Sequence, residues 1–122
     1  MRLLLMVGFG GFLGSSSRYL IQKYVSISYQ SAFPISTLLI NLVGCLLIGI
    51  LFGISNKYEI MSAEMRLFLT TGFCGGFTTF STFSNESLQL LKDGNFTYFF
   101  TYIILSVVVG ILLTFLGYFI FK

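Results

Sequence analysis

Hydrophobic residues fall along this chain in four long runs separated by short polar connections. Crossing the hydrocarbon core of a bilayer takes about 20 mostly apolar residues. Helix 1 is predicted from about Leu3 to Ile21, helix 2 from Phe33 to Ile54, helix 3 from Leu67 to Leu91 and helix 4 from Phe96 to Phe121. The connections Gln22–Ala32, Ser55–Arg66 and Lys92–Asn95 leave no room for an extramembrane domain, lid or enzyme site. The expected fold class is an all-α membrane protein, with residues 1–122 forming one transmembrane domain. Arg2, the apolar run Leu3–Leu13 and the small residues Gly14-Ser15-Ser16-Ser17 also imitate a secretory leader. Gly8, Gly10 and Gly11 interrupt that run, however, and Gly10xxxGly14 is the spacing of close helix contact.

Helix 3 breaks the apolar pattern. From Thr78 to Ser87 its only apolar residues are Phe80 and Phe83. At about 100° per residue, Phe80, Phe83, Ser84 and Ser87 share one face, Ser81 and Asn85 lie beside it, and Thr82 and Glu86 lie opposite. No side remains for lipid tails, so this segment is expected to be central and enclosed. Gly75-Gly76, poor helix formers followed by Thr78-Thr79, point to a broken helix with freed carbonyls near the midplane. The bland alternative is that the two glycines only allow close helix contact.

Other polar positions converge on it. Helix 2 carries Thr37 and Asn41, with Gly44 close by and Gly49xxxGly53 further along. Helix 4 places Tyr98, Tyr102, Ser106, Gly110 and Thr114 at four-residue spacing. Each can serve ordinary interhelical hydrogen bonding. Stripes on helices 2, 3 and 4 together are expected to line a path.

Charge refines the picture. Of 122 residues 56% are hydrophobic and 9% charged, against about 25% charged in soluble domains. The net charge of +3 comes without a basic run, so no nucleic-acid partner is expected and the chain's surroundings are membrane lipid. Under four spans, Arg2, Lys57, Arg66 and Lys122 face one side and Arg18, Lys23 and Lys92 the other. That balance gives almost no positive-inside bias. Either one or two charges still decide a single topology, or copies insert both ways and pair antiparallel; the polar helix 3 favours the second. Cys45 and Cys74 have no metal-ligand spacing and are read as packing residues, and histidine is absent.

The intramembrane inventory is therefore hydroxyls, amides and phenyl rings. No nucleophile–base pair, phosphate loop or metal set is present, so no enzyme is expected. No carboxylate sits at the centre of a span, which speaks against a proton-coupled exporter of similar length. Hydroxyl and amide donors suit a small anion, and a phenyl ring offers its positive edge to one. Core packing is the alternative for Phe80 and Phe83. Arg18 either attracts anions to an entrance or snorkels at the interface. The role of Glu86 stays open, between capping, pairing and lying outside the route.

Gly75-Gly76-Phe77-Thr78-Thr79-Phe80-Ser81-Thr82-Phe83 resembles the signature of the Fluc/CrcB fluoride channels. Gly10-Gly11, Gly14 and Arg18-Tyr19 resemble that family's first helix, and Pro34 through Asn41 with Gly44 its second-helix element, except that Ser36 stands where Gly is usual. The resemblance spans all four helices. It implies an antiparallel homodimer, two separate fluoride pores and passive export of fluoride from the cytoplasm across the plasma membrane of a prokaryote. Phe80 and Phe83 would present ring edges to fluoride, and Asn41 would donate its amide N–H. Ser81, Thr82, Thr37, Tyr102 and Ser106 match pore-lining or supporting positions, and Arg18 a basic residue near the vestibule. A structural Na⁺ at the dimer interface would be held by the backbone carbonyls of Gly75 and Thr78 from both copies.

Overall fold

The computed structural model describes residues 1–59 and 61–121, and every regular element among them is helical. Helix α1 runs Arg2–Ser28 and α2 runs Ile35–Tyr58. Helix α3 covers 63–77, beginning as Ala63–Leu67, widening to a π-helical stretch Phe68–Cys74 and ending as Gly75–Phe77. Helix α4 is Phe80–Lys92. Helix α5 is Phe96–Ile120, with a π-helical Leu105–Val109 in its middle. Three of these, α1, α2 and α5, are long and apolar enough to cross a bilayer, so the chain is a multi-pass membrane protein. The run expected as helix 3 is divided between α3 and α4. Lys122, counted above in the charge balance, lies outside the described residues.

Helix ends follow local chemistry. The Ser62 hydroxyl accepts the Met65 N–H at 3.1 Å and caps α3. At the end of α4, Gly94 takes φ 74°, its N–H reaches the Leu91 carbonyl at 3.1 Å and the Asn95 N–H reaches Leu90 at 2.9 Å. That is a Schellman stop, which turns the chain into α5. Helix α1 continues past Ile21 to Ser28, because Gln22-Lys23-Tyr24 hold no breaker and the polar residues ride on a solvated helical end.

Packing rests on two seams where backbones nearly touch. In the first, α1 lies on α3: a Cβ on Gly10 would overlap the Phe68 carbonyl, and one on Gly14 the Phe73 carbonyl. Gly76 faces α1 in the same way, with the Gly11 carbonyl 2.6 Å from where its Cβ would stand. The leader-like stretch of α1 is thus a packed wall of the bundle. In the second seam α2 lies on α5, where Gly49 meets the Thr114 carbonyl and Gly117 meets that of Leu46. Lipid tails are as apolar as leucine, so such close van der Waals contact, rather than burial from water, holds these helices together. The Thr114 hydroxyl adds a hydrogen bond to the Cys45 carbonyl at 3.0 Å.

The π-helical turn in α5 has a structural consequence. On a regular helix four residues advance about 40° beyond a full turn at about 100° each, so a strict four-residue stripe would spiral away. The widened turn absorbs a residue, keeping Tyr102, Ser106, Gly110 and Thr114 facing the rest of the bundle: Tyr102 and Gly110 are buried, and Thr114 bonds to α2.

Candidate functional site

The site grows from the two residues between α3 and α4. Thr78 (φ −85°, ψ 160°) and Thr79 (φ −150°, ψ 124°) are extended. The glycine pair before them stays helical, and the break falls at the threonines because their side chains provide the alternative bonding. The Thr79 hydroxyl accepts the Thr82 N–H at 3.2 Å and caps α4. The Thr78 hydroxyl donates to the Cys74 carbonyl at 2.9 Å and closes α3.

Asn41 on α2 clamps the break. Its Nδ2 donates to the Thr79 carbonyl at 3.0 Å, and the Thr79 N–H donates to its Oδ1 at 2.9 Å. An extended backbone at this depth needs such a partner, because an unpaired peptide group in hydrocarbon costs several kcal/mol, of order 2–7. The clamp diverts helical donors. In a continuous helix the Thr79 and Thr82 N–H groups would serve the carbonyls of Gly75 and Thr78. Here they go to Asn41 and to the Thr79 hydroxyl, so both carbonyls are left without a helical bond.

An open groove of about 380 Å³ lies against the break, lined by Asn41, Gly75, Thr78, Phe80, Phe83 and Ser106 among others. Six of the residues singled out from sequence therefore meet in one place. The first N–H groups of α4 point toward this end of the helix. One amide hydrogen of Asn41 remains after its bond to Thr79. The Ser106 hydroxyl is buried and has no hydrogen-bond partner among the described residues. Phe80 is 78% exposed, so within one chain it is not a core residue. Its ring centroid is 5.6 Å from that of Phe83, which in turn sits 5.0 Å from Tyr102.

That row of rings leads to a second cluster. Thr37 and Tyr102 are both fully buried, at 0% exposure. The Tyr102 hydroxyl donates to Glu86 Oε1 at 3.0 Å, and Gln22 Nε2 on α1 donates to Thr37 Oγ1 at 3.3 Å. Glu86, whose role the sequence left open, thus pairs on α4 with the buried Tyr102 of α5. Thr37 and Tyr102 belong here and do not line the groove.

Arg18 lies on the other side of α3. Its Nε donates to the Gly76 carbonyl at 3.1 Å, joined by the Ser15 hydroxyl at 3.4 Å, so it ties down the C-terminal end of α3. A cation there also complements the negative end of the helix dipole. Ser81 and Thr82 remain in the first turn of α4, their hydroxyls 3.3 and 3.2 Å from that of Thr79. Ser81, Ser84 and Asn85 are exposed. A single copy leaves Phe80, Ser81, Ser84 and Asn85 of α4 uncovered; the cover expected for this stretch was a second copy.

Two contributors escaped sequence reasoning. Thr79 both caps α4 and receives the Asn41 clamp; a Thr three residues before Thr82 at a helix start was the signal available. Gln22, in a stretch taken as a connection, carried no signal at all until α1 was seen to extend past it.

A family model described as CrcB-like protein, Camphor Resistance (CrcB), matches residues 5–118. Among curated proteins, the chain is 50% identical over 117 residues to the Fluoride-specific ion channel FluC of Phocaeicola vulgatus, covering 96% of each chain. It is 48% identical over 113 residues to the protein of the same name from Prosthecochloris aestuarii, covering 93% of this chain and 88% of that one. The protein of that name from Leptospira interrogans is 44% identical over 119 residues, covering 98% and 94%. These relatives carry the name of an ion channel. Matched across nearly its whole length, from the glycine seam of α1 to the end of α5, the chain belongs to the CrcB-like family.

Proposed function

We propose that this chain forms a fluoride-selective channel through which fluoride leaves the cytoplasm passively, down its electrochemical gradient. Two copies would pack antiparallel in the plasma membrane of a prokaryote, with a separate path on each side of the pair. The observation that carries this reading is the Asn41-clamped break at Thr78–Thr79, opening on a groove of amide, hydroxyl and phenyl groups. The name that the bacterial relatives carry, Fluoride-specific ion channel FluC, agrees with it.

Fluoride is small and tightly hydrated, so a path must replace its water with donors of comparable strength. The groove offers the free Asn41 amide hydrogen, the unpartnered Ser106 hydroxyl and the N-terminal end of α4, which carries partial positive charge. The edges of Phe80 and Phe83 add weakly positive surface without the hydration that a charged side chain would bring. Several moderate sites in sequence permit both access and release. Chloride, being larger, fits such a set poorly. Hydrogen fluoride crosses a bilayer neutral and ionises in a more alkaline cytoplasm. An inside-negative potential then drives the anion out at about 2.3 kcal/mol per charge per 100 mV.

The exposed edge of α4, with Phe80, Ser81, Ser84 and Asn85, is unsuited to lipid and is where the inverted second copy would lie. The Gly75 and Thr78 carbonyls, deprived of helical donors, suit a hard cation that takes oxygen ligands, and Na⁺ held by both copies would join them there. Exchange of Na⁺ for a large organic cation during purification is expected to weaken the dimer on size exclusion.

Fluoride release from liposomes containing the purified protein tests the function. With valinomycin present and a fluoride gradient imposed, an electrode should record fast fluoride release, while chloride-loaded liposomes keep their chloride. Fluoride loss no faster than from protein-free liposomes would reject the proposal.

A further inference from the structure

The end of the α2–α5 seam holds a second polar site, away from the break. Gly53 brings the two helices together there, with the Tyr118 carbonyl 2.5 Å from where its Cβ would stand. A pocket of about 230 Å³ opens beside this contact, lined by Gly53, Asn56, Lys57 and Tyr118. It shares no lining residue with the groove. Its side chains have donors to spare. Asn56 Nδ2 donates to the Tyr118 hydroxyl at 3.0 Å, which leaves the second amide hydrogen and the tyrosine's own proton to offer. Lys57 adds an ammonium group, which only donates. Among the described residues no carboxylate pairs with Lys57 and none lines the pocket. Such a set suits an anion with several acceptor oxygens. Its place narrows the choice. Lys57 lies in the last turn of the membrane-spanning α2, at the depth of lipid headgroups. An exposed aromatic row leads from the pocket toward the hydrocarbon. Phe119 stands edge-on to the Tyr118 ring at 5.1 Å and stacks on Phe115 at 5.8 Å.

We propose that Lys57, Asn56 and Tyr118 bind the phosphodiester of an anionic phospholipid, whose acyl chains lie along Phe119 and Phe115. The unesterified phosphate oxygens accept from the Lys57 ammonium, the free Asn56 amide hydrogen and the Tyr118 hydroxyl. A zwitterionic lipid carries its own ammonium beside its phosphate, which competes with Lys57. An anionic lipid has no such internal partner, so Lys57 selects it. A lysine that merely snorkels to the interface gives no dependence on Tyr118, which separates the two cases.

Native mass spectrometry of the detergent-purified protein, offered equimolar phosphatidylglycerol and phosphatidylcholine, reads the site without any transport assay. Wild-type protein should retain phosphatidylglycerol about fivefold over phosphatidylcholine, the scale of one lysine facing an anionic headgroup. Lys57→Gln should abolish that preference and Lys57→Arg should keep it; Lys57 is exposed, so neither change should disturb folding. Tyr118→Phe keeps the ring against Phe119 and should lower phosphatidylglycerol retention about threefold, the scale of one hydrogen bond. Lys23→Gln, at an exposed lysine of α1 outside the pocket, should change nothing. Equal retention of both lipids by the wild type, a preference that survives Lys57→Gln, wild-type retention by Tyr118→Phe, or an equal loss on Lys23→Gln would overturn the proposal. Release of the bound phosphatidylglycerol by millimolar inorganic phosphate would assign the pocket to free phosphate and overturn the lipid.

Discussion

The two halves of the third hydrophobic run solve opposite problems. Helix α3 is sealed against α1 by backbone contact, with Gly72 and Gly76 set against Gly10 and Gly11, and it ends under the Arg18 side chain. Helix α4 starts two residues later and leaves Phe80, Ser81, Ser84 and Asn85 uncovered. Glycine allows α3 to bury itself within its own chain, while the hydroxyls and rings of α4 are kept for something the chain does not itself supply. In this molecule packing and transport chemistry are carried by adjacent segments, and Asn41 is the hinge pin between them.

The sharpest way to break that contrast is to damage the sealed half. Gly14→Leu drives a side chain into the Phe73 carbonyl and the Phe77 N–H of α3, where neither backbone can retreat. The cost should exceed the roughly 1–3 kcal/mol of ordinary overpacking, and we expect no monodisperse protein on size exclusion in detergent. On the open half the opposite holds. Phe80→Ile should change stability by no more than about 0.5 kcal/mol, as at other exposed positions, yet slow fluoride efflux about a hundredfold if the ring edge is a site of the path. A differential thermal unfolding scan beside the electrode assay distinguishes the two halves.

Smaller effects sharpen the border. Tyr102→Phe removes the donor to Glu86 Oε1 while keeping the ring against Phe83. A loss of about 0.5–1.5 kcal/mol is expected for one hydrogen bond, together with efflux slowed about tenfold. Ser106→Ala should be the mildest. Its hydroxyl has no partner among the described residues, so stability should hold or rise by a few tenths of a kcal/mol, while efflux falls about threefold as one donor leaves the groove. A clear loss of stability on Ser106→Ala would place that residue with the packed region instead.

Much of this is legible in the amino-acid sequence. Long apolar runs announce membrane helices because hydrocarbon demands satisfied backbones over a fixed thickness, and α1, α2 and α5 follow that rule. The small residues of α1, Gly10 and Gly14, were readable as a contact face. That Asn41 and Ser106 would converge on the third run followed from polar residues having nowhere else to go; that Gly75 and Thr78 open on the same groove did not. What could not be read was the pairing. Whether Thr37 and Tyr102 face the groove or Glu86 depends on helix rotation, and the π-helical turns in α3 and α5 shift that rotation by an amount no periodicity count supplies. Arg18 was open between two roles, and its bond to Gly76 depends on how closely α1 approaches α3. The enclosure of α4 could not emerge from one chain, since composition shows that a cover is required but not which surface provides it.

The clamp offers the most direct test of the whole account. Asn41→Asp preserves shape and can still accept the Thr79 N–H, but an ionised carboxylate cannot donate to the Thr79 carbonyl, and it sets a negative charge against the groove. Measured by fluoride electrode in valinomycin-treated liposomes, wild-type protein should empty its vesicles rapidly, and Asn41→Asp, eluting as an intact protein, should run at about one hundredth of that rate or less. Release by Asn41→Asp at the wild-type rate would contradict the claim that fluoride passes the Asn41-clamped break.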